Sequence, residues 1–255
     1  TDNWGGDVSF GIPISEINRI RLALGYESTE LHLPSTNTIQ RYQDFVDAEG
    51  SDFDTFTVSL GWSSDTRNSS VLPTRGMSQS LSAEVAVPGG SLQYYKVKYK
   101  HKWYKPLSES FTLSLGGNLG YADAYGDTST LPFFKNFYAG GIRSVRGYQS
   151  NTLGLKEDGQ SLGGNFLVTG GAEIIFPIPF LKKTLKSFRL SAFTDVGNVY
   201  DENEDFETDL LRYSAGLSAI WISPFGAMSV SIAQPFNEQA DDTTESFQFS
   251  LGSTF

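Results

Sequence analysis

Two carboxylates sit in segments where apolar residues alternate with small or polar ones: Glu173 in FLVTGGAEIIF (166–176) and Asp195 in FTDVGNVYD (193–201). Such a pair could act as a catalytic acid and base, or could hold a cation. Two arginines, Arg143 and Arg146, lie in GGIRSVRGYQSNTLG (140–154), whose four glycines suit neither a strand nor an amphipathic helix. Covalent catalysis has little to draw on. Cysteine is absent, and the two histidines are His32, in the acid-poor TELHLP, and His101, on an apolar face. Acidic runs at 201–209 (DENEDFETD) and 237–242 (NEQADD) could take a divalent cation, although a solvated run of charge is the plainer explanation.

The elements that must position these groups read as strands. The 255 residues suffice for one large all-β domain or two small ones, and 14% aromatics with 26 glycines suit short alternating strands better than a helical core. In 166–176 the row Phe166, Val168, Ala172, Ile174 and Phe176 opposes Thr169, Gly171 and Glu173. In LRYSAGLSAIW (211–221) Leu211, Tyr213, Leu217 and Trp221 oppose Arg212, Ser214 and Ser218. About eleven such segments recur, at 5–14, 18–29, 53–64, 76–87, 92–104, 109–121, 164–176, 186–200, 210–222, 226–236 and 245–255. Their length suits a tilted strand crossing a bilayer, and Trp62, Trp103, Tyr121, Tyr200 and Trp221 end apolar rows where interfacial girdles would lie.

Alternation alone also fits a water-soluble sandwich, so two further features matter. Lys96, Lys98, Lys100 and Lys102 form a file opposite Tyr95, Val97, Tyr99, His101 and Trp103. In a wet lumen that file is expected to pair with carboxylates such as Glu84 on the preceding strand; a solvated edge is the other explanation. Connections also alternate between long and short, with one of about forty residues at 122–163. Its aromatic stretch PFFKNFYAGG (132–141) argues against disorder. No run approaches the roughly 18 apolar residues of a spanning helix, so a membrane role must use strands. A net charge of -10 argues against nucleic-acid binding.

NFYAGGIRSVRGYQSNTLG (136–154) resembles the surface-loop signature of the BamA family of outer-membrane insertases, with Val145, Arg146, Gly147 and Tyr148 as its VRGY motif. The terminal SFQFSLGSTF, with Phe247, Phe249, Leu251, Gly252 and Phe255, resembles that family's β-signal, and GAEIIFPIPF, WISPFG and IAQPF are similar as well. The resemblance implies an antiparallel transmembrane β-barrel in the bacterial outer membrane that assembles and inserts other barrel proteins. It implies no catalytic residue, cofactor or metal.

The loop 122–163 would then fold into the barrel as a lid, and Arg146 would reach Glu173 and Asp195, which the alternation independently places on the lumen face. An arginine shared by both carboxylates suits a brace rather than acid–base catalysis, and lysine lacks the planar fork. Gly147 would supply the turn. Strand 245–255 would form one side of the seam where substrate strands pair.

The family's barrel is expected to have about sixteen strands, preceded by periplasmic POTRA domains. Neither those domains nor the full strand number is in this sequence, so it is expected to start within a barrel, as an N-terminally truncated piece of about eleven strands. The expected partners are outer-membrane lipid, nascent outer-membrane proteins, other subunits of the assembly machinery and a second copy joined through strand edges; nucleic acid is not among them. The alternatives are a passive porin or channel, another member of the same insertase and translocase superfamily, and an outer-membrane protease or phospholipase.

Overall fold

The computed structural model of the chain describes residues 1–34, 39–178, 187–223 and 226–252. In chain order these form β1 (Asp2–Pro13), β2 (Asn18–Glu30), helix α1 (Gln40–Glu49), β3 (Asp52–Asp65), β4 (Gly76–Ala86), β5 (Tyr94–Pro106) and β6 (Thr112–Ala124). Short strands β7 (Gly147–Tyr148), β8 (Lys156–Glu157) and β9 (Gln160–Ser161) follow within the long connection. Then come β10 (Phe166–Phe176), β11 (Phe188–Tyr200), β12 (Arg212–Ser223), β13 (Gly226–Phe236), β14 (Thr244–Glu245) and β15 (Phe247–Leu251).

Eleven of these strands make one antiparallel sheet in the order β1-β2-β3-β4-β5-β6-β10-β11-β12-β13-β15. Each strand of the sheet pairs with the next sheet strand along the chain; β7, β8, β9 and β14 lie outside it, and the short connections favour antiparallel hairpins. Among the described residues the sheet is open, with β1 and β15 as its two edges. All eleven expected strands are present, with ends displaced by a few residues. The largest difference is at the C-terminus. Of the expected strand 245–255, the described residues form a strand over Phe247–Leu251; at its start Thr244 and Glu245 leave the sheet to pair with Tyr148 and Gly147. Phe255 lies outside the described residues, as does most of the 177–187 connection.

Burial is inverted relative to a soluble protein. Leu217, Ile232, Phe247, Phe249 and Leu251 point outward and are 53% to 64% exposed, while Ser191, Ser214, Ser231 and Gln248 on the opposite face are below 5%. Water would penalise such an exterior, and hydrocarbon would not. The apolar core lies inside the curve of the sheet at the long-loop end. There Phe53, Tyr94, Ala122, Leu167 and Val199 of the wall meet Leu131, Phe137, Val145, Tyr148 and Leu153 of the long connection.

Helix α1 is an element that the alternation did not signal. It lies in the 30–52 connection, where Tyr42, Phe45 and Val46 form an apolar face. Phe45 packs on Phe53 and Phe133, with ring centroids 5.8 and 5.7 Å apart. Its first turn lacks a side-chain cap of its own; instead the Gln40 amide donates to Glu157, 117 residues away.

Candidate functional site: the lid and the terminal strand

The connection between β6 and β10 packs inside the sheet and touches two stretches of it with two different arms, β3, β5 and β6 with one and β10, β11 and the strand leading into β15 with the other. The first arm is aromatic. Phe133 stacks on Tyr42 at 4.1 Å between centroids, and Phe134 packs against Phe53 at 6.1 Å. The tip of the Phe137 ring meets β6, where a Cβ at Gly120 would come within 2.7 Å of its Cζ. The Lys96 ammonium of β5 lies over that ring at 4.2 Å from its centre and donates to the Lys135 carbonyl at 2.6 Å. Lys135 in turn reaches Glu27 of β2 at 2.7 Å.

This corrects the expected pairing of the lysine file. Register does set Glu84 opposite Lys96, but the Tyr94 hydroxyl donates to Glu84 at 3.0 Å, and the Lys96 ammonium turns to the lid instead. Further down the lumen, Lys100, Lys102, Arg143 and Glu173 line a cavity of about 590 Å³.

The second arm is polar. Arg146 donates from Nε to Asp195 Oδ2 at 2.7 Å and from Nη2 to Oδ1 at 2.9 Å, and its backbone amide bonds the same carboxylate at 3.1 Å. Nη1 reaches Glu173 Oε1 at 3.4 Å, and the Ser191 hydroxyl donates to that same oxygen. The β10–β11 register makes this geometry possible: Asp195 faces Gly171 and Glu173 faces Phe193, so the two acids are diagonal neighbours. The guanidinium carbon sits 3.3 Å from the Phe193 ring centre, a stacked cation that shields the pair from water. Burial opposes the charge on Arg146, but Asp195 and then Glu173 outweigh it, so its pKa is raised.

Beyond the arginine, Gly147 takes φ +91°, which an L side chain rarely adopts, and a Cβ there would stand 3.1 Å from Ala233 Cβ. That turn lets Gly147 and Tyr148 pair with Glu245 and Thr244 just ahead of β15. The fully buried Tyr148 donates to the Phe236 carbonyl at 2.8 Å. Burial raises the phenol's pKa, with Asp242 and Glu238 adding to the shift. Val145 is fully buried in the core beside it.

The structure therefore brings Val145, Arg146, Gly147, Tyr148, Glu173 and Asp195 together. Phe247, Phe249 and Leu251 share the outward face of β15, and Gly252 follows at φ +120°. His32 meets acids after all, Asp2 at 3.2 Å and Glu30 at 3.6 Å, because the β1–β2 register carries Asp2 opposite Glu30. His101 bonds Gln79 at 3.1 Å.

The acidic loops are not simply solvated. Asp242 forms a buried bidentate pair with Arg212 at 2.9 and 3.0 Å, and Asp201 pairs with Arg41 of α1 at 2.9 Å. Composition showed a run of charge, whereas the partners lie 30 and 160 residues away. Arg212 was readable as lumen-facing; its acid was not.

Comparison with known proteins gives this geometry a family. The model of the Omp85 superfamily domain matches residues 1–255. The chain belongs to the Omp85 superfamily. It is 37% identical to the outer membrane protein assembly factor BamA of Neisseria meningitidis serogroup B, across all of this chain and 36% of that protein. It is 33% identical to the mouse sorting and assembly machinery component 50 homolog, over 54% of this chain and 30% of that one. The crystal structure of Haemophilus ducreyi BamA lacking POTRA domains 1-3 superposes with a TM-score of 0.88 at 27% identity, over 97% of this chain and 53% of that one. This Omp85 chain thus spans about a third of the length of the curated relatives it matches. Its eleven strands are those of an outer-membrane β-barrel wall.

Proposed function

We propose that this chain is the lid-bearing C-terminal wall of a non-enzymatic insertase, which assembles and inserts β-barrel proteins into the bacterial outer membrane. The observation that carries the reading is the junction of lid and edge: Arg146 is braced on β10 and β11 while the next two residues pair with the strand leading into β15. An edge strand with unpaired backbone groups in hydrocarbon is a template for an incoming strand, and each unmet group costs several kcal/mol. Nascent outer-membrane proteins would pair there, with Phe247, Phe249 and Leu251 facing lipid. A second copy could occupy the same edge or that of β1. Other subunits of the assembly machinery are further proposed partners. The brace engages both Glu173 and Asp195, which leaves them structural rather than acid–base groups, and the reading needs no metal or cofactor.

Reconstitution in lipid vesicles tests it. The full-length protein is expected to speed folding of an unfolded substrate barrel, and Arg146→Ala to slow it while the barrel stays inserted. Steady ion-selective conductance without any acceleration would indicate a channel instead.

A further inference from the structure

One inward side chain of β15 does more than fill the lumen. Gln248 is 4% exposed, set between the outward Phe247 and Phe249. Its Oε1 accepts from the Gly147 amide at 3.3 Å, and its Nε2 donates to the Tyr148 carbonyl at 2.7 Å. A primary carboxamide offers a donor and an acceptor side by side, so at the Gly147 turn it engages the Gly147 N–H and the Tyr148 carbonyl at once. Nε2 also reaches Glu245 Oε2 at 3.3 Å, which orients the amide. Among the hydrogen bonds of the described residues, Gln248 is the β15 side chain that holds the lid. β15 itself is paired along one side only, to β13 over Phe247–Leu251.

We propose that Gln248 is a positioning residue that couples the terminal strand to the VRGY lid. While β15 keeps its register on β13, the carboxamide seats Gly147 and Tyr148; when β15 shifts or is displaced, the clamp opens and the polar arm is left to the Arg146 brace and the Tyr148 hydroxyl's bond to Phe236. The contact stands on geometry alone, and its consequence for activity rests on the insertase reading.

The test uses the full-length protein in lipid vesicles, with hydrogen exchange at 140–154 and folding of an unfolded substrate barrel measured on the same samples. Gln248→Met keeps length and bulk but removes both bonds. It is expected to lower protection of the Gly147 amide roughly tenfold or more and to slow substrate folding several-fold. Ser250→Ala, the next inward residue of β15, is expected to change neither.

Gln248→Glu supplies a rescue. Its carboxylate can accept from Gly147 but cannot donate to Tyr148, and it faces Glu245, so lid protection drops at neutral pH. A protonated carboxylic acid regains the donor, so protection relative to the parent at the same pH is expected to recover on acidification. Heat-modifiable migration on gels reports that each variant keeps a folded barrel. Lid protection in Gln248→Met equal to that in Ser250→Ala overturns the clamp, as does a Gln248→Glu defect that acid leaves unchanged. A loosened lid with substrate folding at the parental rate overturns the coupling to insertion. If the parent itself fails to accelerate folding, the insertase reading falls, while lid protection still decides the clamp.

Discussion

The lid's two arms rest on different stretches of the sheet, which meet where β6 pairs with β10, and are held by different physics. The aromatic arm, 131–139, is seated on β3, β5 and β6 by ring packing, with Leu131, Phe137 and Ala139 buried. The polar arm, 145–148, is seated on β10, β11 and the terminal strand by directed hydrogen bonds from a few named groups. Dispersion and burial act in proportion to area and forgive a change of shape. Buried charge does not, because removing one partner strands the other. The arm that touches the edge strand is thus the one whose seating can be lost all at once, and the aromatic arm can hold the lid in the lumen meanwhile.

The most severe test of that contrast is Arg146→Ala, which leaves Asp195, 4% exposed, and Glu173 uncompensated. A loss of about 3–5 kcal/mol in lid seating is expected, read as lost exchange protection across 142–150 with 131–139 still protected. Arg146→Lys is expected to recover little, since an ammonium cannot bond both Asp195 oxygens and stack on Phe193. The double exchange Arg146→Glu with Asp195→Arg is expected to recover part. Equal loss of protection in both arms would show that they seat as one unit.

Next in size is Phe137→Ala in the aromatic arm, where a buried ring and the Lys96 contact both go. About 3 kcal/mol is expected, measured as exchange at 131–139. Phe137→Leu is expected to cost about 1 kcal/mol or less. Tolerance of the conservative change here, and intolerance of Arg146→Lys in the polar arm, is the signature that separates packing from directed bonding.

How much of this could be read in the sequence follows the same division. Period-two alternation sets strands because side chains point to opposite faces, so the eleven strands and the inward placement of Glu173, Asp195 and Arg212 were legible. The pairing of Arg146 with both acids was legible only through the VRGY resemblance, since a loop's docking position has no period. Helix α1 escaped notice because it has no side-chain cap of its own and its face is completed by Phe53 and Phe133. The fate of Lys96 was misread for a related reason. Cross-strand register was right, yet the lid carbonyl that wins the ammonium comes from residue 135. Gln248 could have been marked inward between two outward phenylalanines, but nothing local names Gly147 and Tyr148 as its partners.

Smaller effects sharpen the comparison. Gly147→Ala forces a side chain into φ +91° and against Ala233 Cβ at 3.1 Å. A cost of about 1–2 kcal/mol is expected, confined to the polar arm and visible as faster exchange at 147–149. Lys135→Met should matter least. Its ion pair with Glu27 joins side chains that are 15% and 33% exposed, and partly solvated pairs contribute about 1 kcal/mol or less. The methionine stem can still lie against Phe134, and the Lys135 carbonyl that holds Lys96 belongs to the backbone and survives the change. Protection at 131–139 is therefore expected to stay within a few-fold of the parent and to lose its salt dependence. A collapse of that arm on this one substitution would mean that charge, rather than packed rings, seats both halves of the lid.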